Sequence, residues 1–209
     1  MTDDRDTLIA ELVDAGRHVV DRGLVQASGG NLSVRLPDSH RFLVTGSGTW
    51  LDRLTPQDFA EMTLDGEQRA GVDRPSVEWR LHQRTYAVRP DVRAIVHLHP
   101  QYVLLVDMLG VPIRFTTLDH QYYLGSAGWV PFLPSGSHDV ADAAAEAARD
   151  HDAVVLAHHG CSALGDSVSM ALRRALNLEE AATMTYRLHV AGNTKADFPQ
   201  EWKGNILSV

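Results

Sequence analysis

The sequence contains one cysteine, Cys161, and no long apolar run. A lone cysteine cannot form a disulfide within the chain or supply a cysteine-based zinc ribbon. No stretch approaches the roughly 18 consecutive apolar residues that a membrane-spanning helix needs. Positive charge is also scarce: the formal net charge is −8, whereas nucleic-acid-binding domains normally carry a basic surface. We therefore expect neither a membrane protein nor a nucleic-acid-binding protein.

The composition that remains is typical of a folded domain. The chain has 209 residues, of which 44% are hydrophobic and 22% charged, so we expect one domain over residues 1–209. Residues 1–6 are acidic and polar and do not resemble a secretion signal, so we expect a cytoplasmic protein. Histidine is abundant, with 11 copies. Any bound metal would therefore be held by histidine and carboxylate side chains.

Hydrophobic periodicity divides the chain into helices and strands. Thr55-Pro56-Gln57-Asp58 has the cap residue, the proline and the acid of a helix start. The mixture indicates an α/β or α+β fold around a central, mainly antiparallel or mixed sheet, whose strand order periodicity does not settle. Helices are predicted over residues 6–22, 76–88, 101–109, 139–149 and 167–189, and strands over residues 31–36, 41–45, 94–99 and 153–158.

Histidines lie at the ends of two predicted strands. In His97-Leu98-His99, residues i and i+2 of a strand point to the same face, so both imidazoles could chelate a cation such as Zn²⁺. His158 and His159 end the other strand, and a third imidazole from there would give zinc three protein ligands and an open position, as in catalytic sites. The alternative is that unrelated histidines end each strand, and we expect one of His158 and His159 to be a core residue.

Small polar segments and one carboxylate could complete a site. Glu78 falls in the first turn of a predicted helix with Ser76 as its N-cap, so it could be only a helix-start acid. The glycine- and serine-rich loops over residues 28–33 and 45–49 could cradle a phosphate or carboxylate, although most such loops are only turns. Neither loop is a P-loop or a dinucleotide-binding fingerprint. A serine hydrolase would need a G-x-S-x-G motif, and packing explains Cys161 better than a nucleophilic role.

Six segments carry a family resemblance when they are taken in order: ASGGNLSVR (27–35), VTGSG (44–48), PSVEWRLH (75–82), RPDV (89–92), AIVHLHP (94–100) and VLAHHG (155–160). Together they resemble the class II aldolase/adducin family, and specifically its fuculose-phosphate-aldolase-like branch. The resemblance spans roughly residues 8–187 and leaves residues 190–209 unplaced. It implies a three-layer αβα fold, with a central sheet between helices, and an assembly that is commonly a homotetramer with active sites near subunit interfaces.

The resemblance also implies a role for each matching residue. His97, His99 and His159 would bind the divalent metal, usually Zn²⁺, with Mn²⁺ or Co²⁺ as alternatives. His158 would then be a bystander, and Glu78 would be the catalytic general acid and base. The substrate phosphate would be held by Gly30, Asn31, Ser47, Gly48 and Ser76.

The implied reaction is the cleavage of a ketose through an enediolate, which the metal stabilises as a Lewis acid while Glu78 moves protons to and from the reacting carbon and oxygen. No Schiff-base lysine is needed. The chain has only Lys195 and Lys203, both in its polar C-terminal stretch, which argues against a lysine-dependent class I aldolase.

Two departures from the family pattern affect the expected phosphate cradle. Val77 stands where a second serine is usual and removes a hydroxyl donor, and Gly46 stands where a proline is usual. The net charge of −8 repels a phosphate overall. We therefore expect backbone N–H groups and hydroxyls to provide the local contacts that bind it.

A third departure is a longer segment over residues 115–123, where family members can carry a catalytic tyrosine. His120, Tyr122 and Tyr123 are therefore candidates for a second proton donor. We expect at least two of these three residues to be wall or interface residues instead.

Four functions compete. The first is a zinc aldolase that cleaves a phosphorylated ketose to dihydroxyacetone phosphate and an aldehyde. The second is a metal-dependent decarboxylase or dehydratase of a sugar acid or keto acid on the same site, which Val77 favours slightly. The third is a non-catalytic adducin-like scaffold, which would not need all three histidines together with Glu78. The fourth is a mononuclear zinc hydrolase, which no further motif supports.

Overall fold

The computed structural model describes residues 5–37 and 40–203. In that part of the chain the strands are β1 (Asn31–Arg35), β2 (Arg41–Thr45), β3 (Phe59–Thr63), β4 (Gln68–Gly71), β5 (Ala94–Leu98), β6 (Gly128–Val130), β7 (Ala153–Leu156) and β8 (Gly160–Gly165). They form one sheet in the order β4-β3-β2-β1-β5-β8-β7-β6. Neighbouring strands are antiparallel, except that β6 and β7 are parallel. The mainly antiparallel, mixed sheet predicted from the sequence is confirmed.

Helices cover both faces of this sheet. They are α1 (Arg5–Asp21), α2 (Trp79–Val88), α3 (Gln101–Met108), α4 (Leu118–Tyr123), α5 (His138–Ala147) and α6 (Val168–Val190). Single turns of 3-10 helix occur at Leu51–Arg53, Pro56–Asp58 and Gln200–Trp202. Among the described residues, no helix combines the length and the apolar character that crossing a bilayer requires.

Alternation along the central strands separates the cores on the two faces. In β5, Ala94, Val96 and Leu98 belong to the core that α1 and α6 cover, whereas Ile95 belongs to the core that α2 and α5 cover. A third cluster joins α3 and α6 to β7 and β8, and it contains the buried, free thiol of Cys161. This arrangement is the three-layer α/β fold that the family resemblance implied, with Cys161 serving in packing.

The helix predicted from Thr55 does not form. Thr55 and Asp58 do make a capping box, but only one 3-10 turn, Pro56–Asp58, follows it. The next residues form β3, which is buried along its whole length and pairs with β2. Pairing within the sheet therefore overrides a local helix signal.

Candidate metal and substrate site

Neighbouring elements bring the predicted residues to one face of the sheet. β1 and β5 are antiparallel neighbours, and Asn31 of β1 pairs with His97 of β5. His97 lies two residues after Ile95 in β5, so both side chains face the layer of α2 and α5. Glu78 immediately precedes α2, so its carboxylate can reach the end of β5.

The hairpin between β7 and β8 supplies the third histidine. Leu156 pairs with Gly160, so residues 157–159 alone make the turn. His158 is exposed and has a φ of 57°, in the left-handed region that few non-glycine residues adopt. The His159 ring lies 5.0 Å from the His97 ring and 5.1 Å from the His99 ring, measured between centroids. The structure therefore brings His159, and not His158, to the other two imidazoles.

Glu78, His97, His99 and His159 form one cluster, in which the possible ligand atoms all lie within 4.8 Å of one another. The Oε2 atom of Glu78 is 3.2 Å from Nε2 of His97, and its Oε1 atom is 3.1 Å from Nε2 of His159. The Nε2 atoms of His97 and His99 are 3.2 Å apart. Three imidazole nitrogens and one carboxylate are a donor set that suits zinc, so these side chains fit a divalent metal.

The inner part of the cluster is shielded and the outer part is open. Glu78 is 5% exposed and His97 is fully buried, whereas His99 and His159 are partly exposed. The Nδ1 atom of His97 lies 3.1 Å from Oγ of Ser162 on β8, a contact that orients the ring. Solvent and substrate would therefore approach the cluster at His99 and His159.

Burial and charge set the protonation of the cluster. Burial alone would raise the pKa of the Glu78 carboxyl, but the imidazoles of His97 and His159 outweigh it and hold that pKa well below its usual range. Burial, aided by the His97 and His159 imidazoles, lowers the pKa of His99 to about 4. At neutral pH, Glu78 is thus a carboxylate and His99 is a neutral imidazole, the forms in which both groups bind metals.

Glu78 and Ser76 do not hold the helix positions predicted from the sequence. α2 begins at Trp79, and Glu78 is the residue before its first turn and makes no side-chain cap. Ser76 is not the N-cap, because its Oγ atom instead accepts a hydrogen bond from the Glu78 backbone N–H at 3.2 Å. The Glu78 carboxylate accepts hydrogen bonds from Nδ2 of Asn31 and Oγ of Ser135, each at 2.9 Å. Glu78 thus lies at the start of α2, but its side chain is held by partners outside the helix and does not cap it.

Two of the predicted phosphate-binding residues, Ser47 and Ser76, line one cavity of 410 Å³. A bridge between Gly46 and Pro75 brings their two loops together. Arg74 and Arg80 line the same cavity together with Asp73, so two cationic side chains against one anionic side chain leave a local excess of positive charge, despite the acidic net charge of the chain.

The other predicted phosphate-binding residues have different surroundings. Gly30 has a φ of 76°, and a Cβ atom there would lie 2.6 Å from the His97 carbonyl oxygen, so the glycine permits a close approach. The Asn31 side chain contacts Glu78 and His82. Gly48, with a φ of 75°, sits in open space beside Ser47.

The three candidates for a second proton donor lie on α4, which packs against α6. His120 is buried, with Nε2 at 2.6 Å from Oε2 of Glu180. The Tyr123 hydroxyl accepts a hydrogen bond from Nη1 of Arg173 at 3.3 Å, and the half-exposed Tyr122 ring packs on Tyr123. Within the described part of one chain, these contacts are made away from the histidine cluster, and a catalytic role for them stays a prediction.

Several residues of the site carried no prediction of their own. His82 and Arg80 lie inside the matched motif, and the spacing of four residues from Glu78 to His82 is a signal that could have placed His82 beside the site. Ser162 lies on β8, which was not predicted as a strand. Without that strand, no pattern places Ser162 beside His97. Ser135 lies in the irregular segment between β6 and α5, and no periodic signal marks it.

The sequence matches the family model for the class II aldolase and adducin N-terminal domain over residues 10–186. The chain belongs to the class II aldolase and adducin family. The resemblance drawn from its motifs is thereby confirmed.

Individual members of the family align with most of the chain. A 5-methylthioribulose-1-phosphate/5-deoxyribulose-1-phosphate aldolase from Rhodospirillum rubrum is 35% identical over 181 residues, which are 84% of this chain and 79% of that protein. A 3-oxo-tetronate 4-phosphate decarboxylase from Escherichia coli is 34% identical over 87% of each chain. The crystal structure of L-fuculose-1-phosphate aldolase from Thermus thermophilus superposes with a TM-score of 0.81 at 31% identity, over 91% of this chain and 98% of that one. The similarity to this last protein also supports the fuculose-phosphate-aldolase-like branch.

Proposed function

We propose that this protein is a zinc-dependent enzyme that cleaves a phosphorylated ketose in a retro-aldol reaction. The observation that carries the proposal is the position of the Glu78 carboxylate, 3.2 Å from His97 and 3.1 Å from His159. The backbone N–H of the same residue contacts Ser76, which lines the 410 Å³ cavity. One buried acid–base group thus lies between a three-histidine cluster and a cavity suited to an anion.

The chain is a carbon–carbon lyase of the class II aldolase type. By their names, the relatives that span it are aldolases and a decarboxylase, and both reactions break a carbon–carbon bond. Their named substrates all carry a phosphate, from which we infer a phosphorylated substrate here. A non-catalytic scaffold is disfavoured, because the four side chains of the cluster are all present and assembled.

His97, His99 and His159 would hold the metal. When bound, the metal supplies Lewis-acid stabilisation of the negative charge that develops on the substrate as the bond breaks. Glu78 is placed to take the proton from the hydroxyl group on the departing carbon and to return a proton to the carbon left behind. Asn31 and Ser135 hold its two oxygens during these transfers.

The phosphate would occupy the cavity of Ser47 and Ser76. Their hydroxyls can donate hydrogen bonds to phosphate oxygens, and Arg74 and Arg80 supply charge of the opposite sign. Gly48, beside Ser47, leaves space for a ligand. The Asn31 side chain contacts Glu78 and His82, and Gly30 lies close to the His97 backbone. Both residues therefore support the metal site, and any contact with the phosphate would be a second role.

A decarboxylase of a phosphorylated keto acid is the second candidate. The relative from Escherichia coli favours it, and so does Val77, which is 63% exposed beside the cavity and offers no hydroxyl. Zinc-loaded protein should be assayed with dihydroxyacetone phosphate and a panel of short aldehydes, and separately for CO₂ release from phosphorylated keto acids. Condensation would support the aldolase. CO₂ release without condensation would make the decarboxylase the correct assignment.

We also propose that the enzyme is a cytoplasmic homotetramer. Met108, Trp129 and Phe132 form an exposed apolar patch, with exposed fractions of 59%, 59% and 61%. The patch adjoins the His159 hairpin, because Asp107 accepts hydrogen bonds from both the Trp129 ring N–H and the His158 backbone N–H, each at 2.8 Å. A neighbouring subunit that covers the patch would therefore border the active site.

A further inference from the structure

A line of buried polar groups runs from Glu78 into the protein core. Nδ2 of Asn31 donates to Glu78 Oε2 at 2.9 Å, and Oδ1 of Asn31 contacts Nε2 of His82. Nδ1 of His82 lies 2.6 Å from Oγ of Ser33, which in turn lies 2.7 Å from the hydroxyl of Tyr86. Asn31, Ser33, His82 and Tyr86 are each at most 4% exposed. None of these contacts is needed to bind a metal, so the line calls for its own explanation.

The side-chain periodicities of β1 and α2 bring these polar groups together. Asn31 and Ser33 alternate along β1 and so point to the same face. Glu78, His82 and Tyr86 follow one another at intervals of four residues, which places them along one side of α2 and its preceding turn. The polar side of α2 therefore lies over the polar side of β1.

The donor and acceptor types fix the direction of each hydrogen bond. An amide oxygen can only accept, so Nε2 of His82 must carry the hydrogen in its contact with Asn31 Oδ1. Full burial, reinforced by the His97 imidazole, lowers the pKa of His82 to about 3, so the ring is neutral and Nδ1 accepts a hydrogen bond from Ser33. The single hydroxyl hydrogen of Ser33 is used in that bond, so Tyr86 donates to Ser33 at 2.7 Å, a shorter contact than its 3.4 Å to the Arg93 carbonyl oxygen. All the bonds point towards the Glu78 carboxylate.

The Asn31 amide is the link that could be reversed. If it rotated by half a turn, its oxygen would face the Glu78 carboxylate and its NH₂ group would face the N–H of His82. Both contacts would then be repulsive, and both would be buried away from water that could relieve them. The Glu78 carboxylate disfavours the rotated form by itself, and a hydrogen held on Nε2 of His82 removes the remaining alternative, in which Nε2 would accept a hydrogen bond from the rotated NH₂ group.

We propose that His82 is a positioning residue, whose Nε2–H holds the Asn31 amide so that its NH₂ group fixes the Glu78 carboxylate at the histidine cluster. His82 is separated from Glu78 by Asn31, and acts only through it. Its effect on catalysis rests on the proposed role of Glu78. The tautomer of His82 and the orientation of Asn31 are independent of that role and can be measured without any substrate.

Two variants of His82 distinguish the roles of its two ring nitrogens, Nε2 and Nδ1. In His82→Gln, the amide nitrogen can reach the place of Nε2 and still donate to Asn31. In His82→Asn, the shorter side chain reaches only the place of Nδ1, so it can contact Ser33 but leaves the Asn31 oxygen without a donor. Both variants remove the imidazole, and His82→Asn also leaves a void one methylene larger, so the state of the Asn31 amide, and not a loss of stability, separates positioning from packing.

The first measurement is NMR on the ¹⁵N-labelled full chain. Long-range ¹H–¹⁵N spectra should show a neutral His82 with its hydrogen on Nε2 at neutral pH. The Asn31 side-chain NH₂ signals, shifted by the bond to a carboxylate, should persist in His82→Gln and move to ordinary positions in His82→Asn. A hydrogen on Nδ1 alone, a charged ring, or Asn31 signals that respond equally to both variants would overturn the proposal.

The second measurement is the zinc-dependent exchange of the hydroxymethyl hydrogen of dihydroxyacetone phosphate in D₂O. His82→Asn should lower the maximal rate about 10- to 100-fold, the usual cost of losing a partner in the outer shell of a metal site, with little change in KM. His82→Gln should keep most of the rate. Equal losses in both variants would contradict the positioning role. If the wild-type enzyme shows no exchange, the aldolase assignment fails, and the NMR result still decides the role of His82.

Discussion

The Glu78 carboxylate is held on all sides by short polar contacts. Asn31 and Ser135 donate hydrogen bonds to it at 2.9 Å, and the His97 and His159 nitrogens lie at 3.2 and 3.1 Å. Such preorganisation aims the carboxylate at one point, so little rearrangement is needed when a proton moves. The proposed acid–base role of Glu78 depends on these neighbours, and substitution of each can test it.

Glu78→Gln should remove the proton-accepting group while preserving the size of the side chain. Because a positioned acid–base group contributes about 10²- to 10⁴-fold to rate, turnover should fall by that order. Zinc should still bind through His97, His99 and His159, as metal analysis would show. Glu146→Gln, at an exposed glutamate paired with Arg149, should change neither property. Full turnover in a metal-loaded Glu78→Gln variant would remove Glu78 from the chemistry.

His82 should make the stability of the fold depend on pH. Its pKa is about 3 when buried and about 6.5 in an unfolded chain, so between these values only the unfolded state binds the proton. The free energy of unfolding should therefore fall as the pH decreases from about 6.5 towards about 3, with up to about 1.4 kcal/mol per pH unit from this residue.

Urea denaturation of the metal-free protein over this pH range checks the prediction. The variant His82→Gln should show a shallower dependence on pH than the wild type, whatever its absolute stability. If His82→Gln has the same slope as the wild type, His82 is not the neutral buried group described above.

At the scale of the elements, the sequence predicts best where an element carries its own period. α1 and α6 are amphipathic, and β1, β2, β5 and β7 are apolar or alternating runs bounded by turns, so all six were placed within a few residues. β4 is fully exposed and β6 has three residues, so neither leaves a pattern. β8 is a buried run that contains glycines at both ends, and only its pairing with β5 and β7 makes it a strand.

The same reasoning applies to the site. The strand period is enough to place His97 and His99 on one face, because it is local. The choice of His159 over His158 depends on the left-handed turn of the hairpin, and the partners of Glu78 come from β1 and a distant loop. Contacts between segments far apart in the chain have no local period, so the choice of His159 came from the family resemblance, and the contacts of Asn31 and Ser135 with Glu78 were not predicted.

Two glycines test how the loop before β1 supports the metal site. Gly30 and Gly192 have nearly the same left-handed φ, 76° and 77°, but only Gly30 lies close to other atoms, with a Cβ position 2.6 Å from the His97 carbonyl oxygen. Gly192→Ala should lower the free energy of unfolding by about 1 to 2 kcal/mol, the cost of a left-handed residue, and leave zinc affinity unchanged.

Gly30→Ala should cost more stability than Gly192→Ala and should also weaken zinc binding, because the added methyl group must displace the backbone that carries His97. Urea denaturation and competition with a chromophoric chelator measure the two effects. Equal losses of stability with unchanged zinc affinity would show that the loop does not support the site.

At the scale of the whole molecule, two surfaces border the candidate site. The cavity of Ser47 and Ser76 carries Arg74 and Arg80 and is suited to an anion, although the net charge of the chain is −8. The apolar patch of Met108, Trp129 and Phe132 lies beside the His159 hairpin. A substrate held in the cavity and a subunit seated on the patch would together enclose the cluster.

Trp129→Glu should break the proposed tetramer, because it places a charge in the apolar patch. Sedimentation equilibrium should show a tetramer for the wild type and smaller species for the variant. Trp202→Glu alters a tryptophan that is equally exposed, at 59%, but lies outside the patch, and it should remain a tetramer. A monomeric wild type, or a Trp129→Glu variant that stays tetrameric, would show that the patch is not the interface.

The exchange of the hydroxymethyl hydrogen of dihydroxyacetone phosphate in D₂O, followed by proton NMR, tests the central claim most directly. It requires neither the natural ketose nor the correct aldehyde, because it reports only the proton transfer next to the carbonyl group. We expect the zinc-loaded enzyme to exchange one hydrogen stereospecifically, and we expect no exchange with metal-free protein and little with Glu78→Gln. The absence of exchange by zinc-loaded wild-type enzyme would contradict the assignment of this chain as an aldolase.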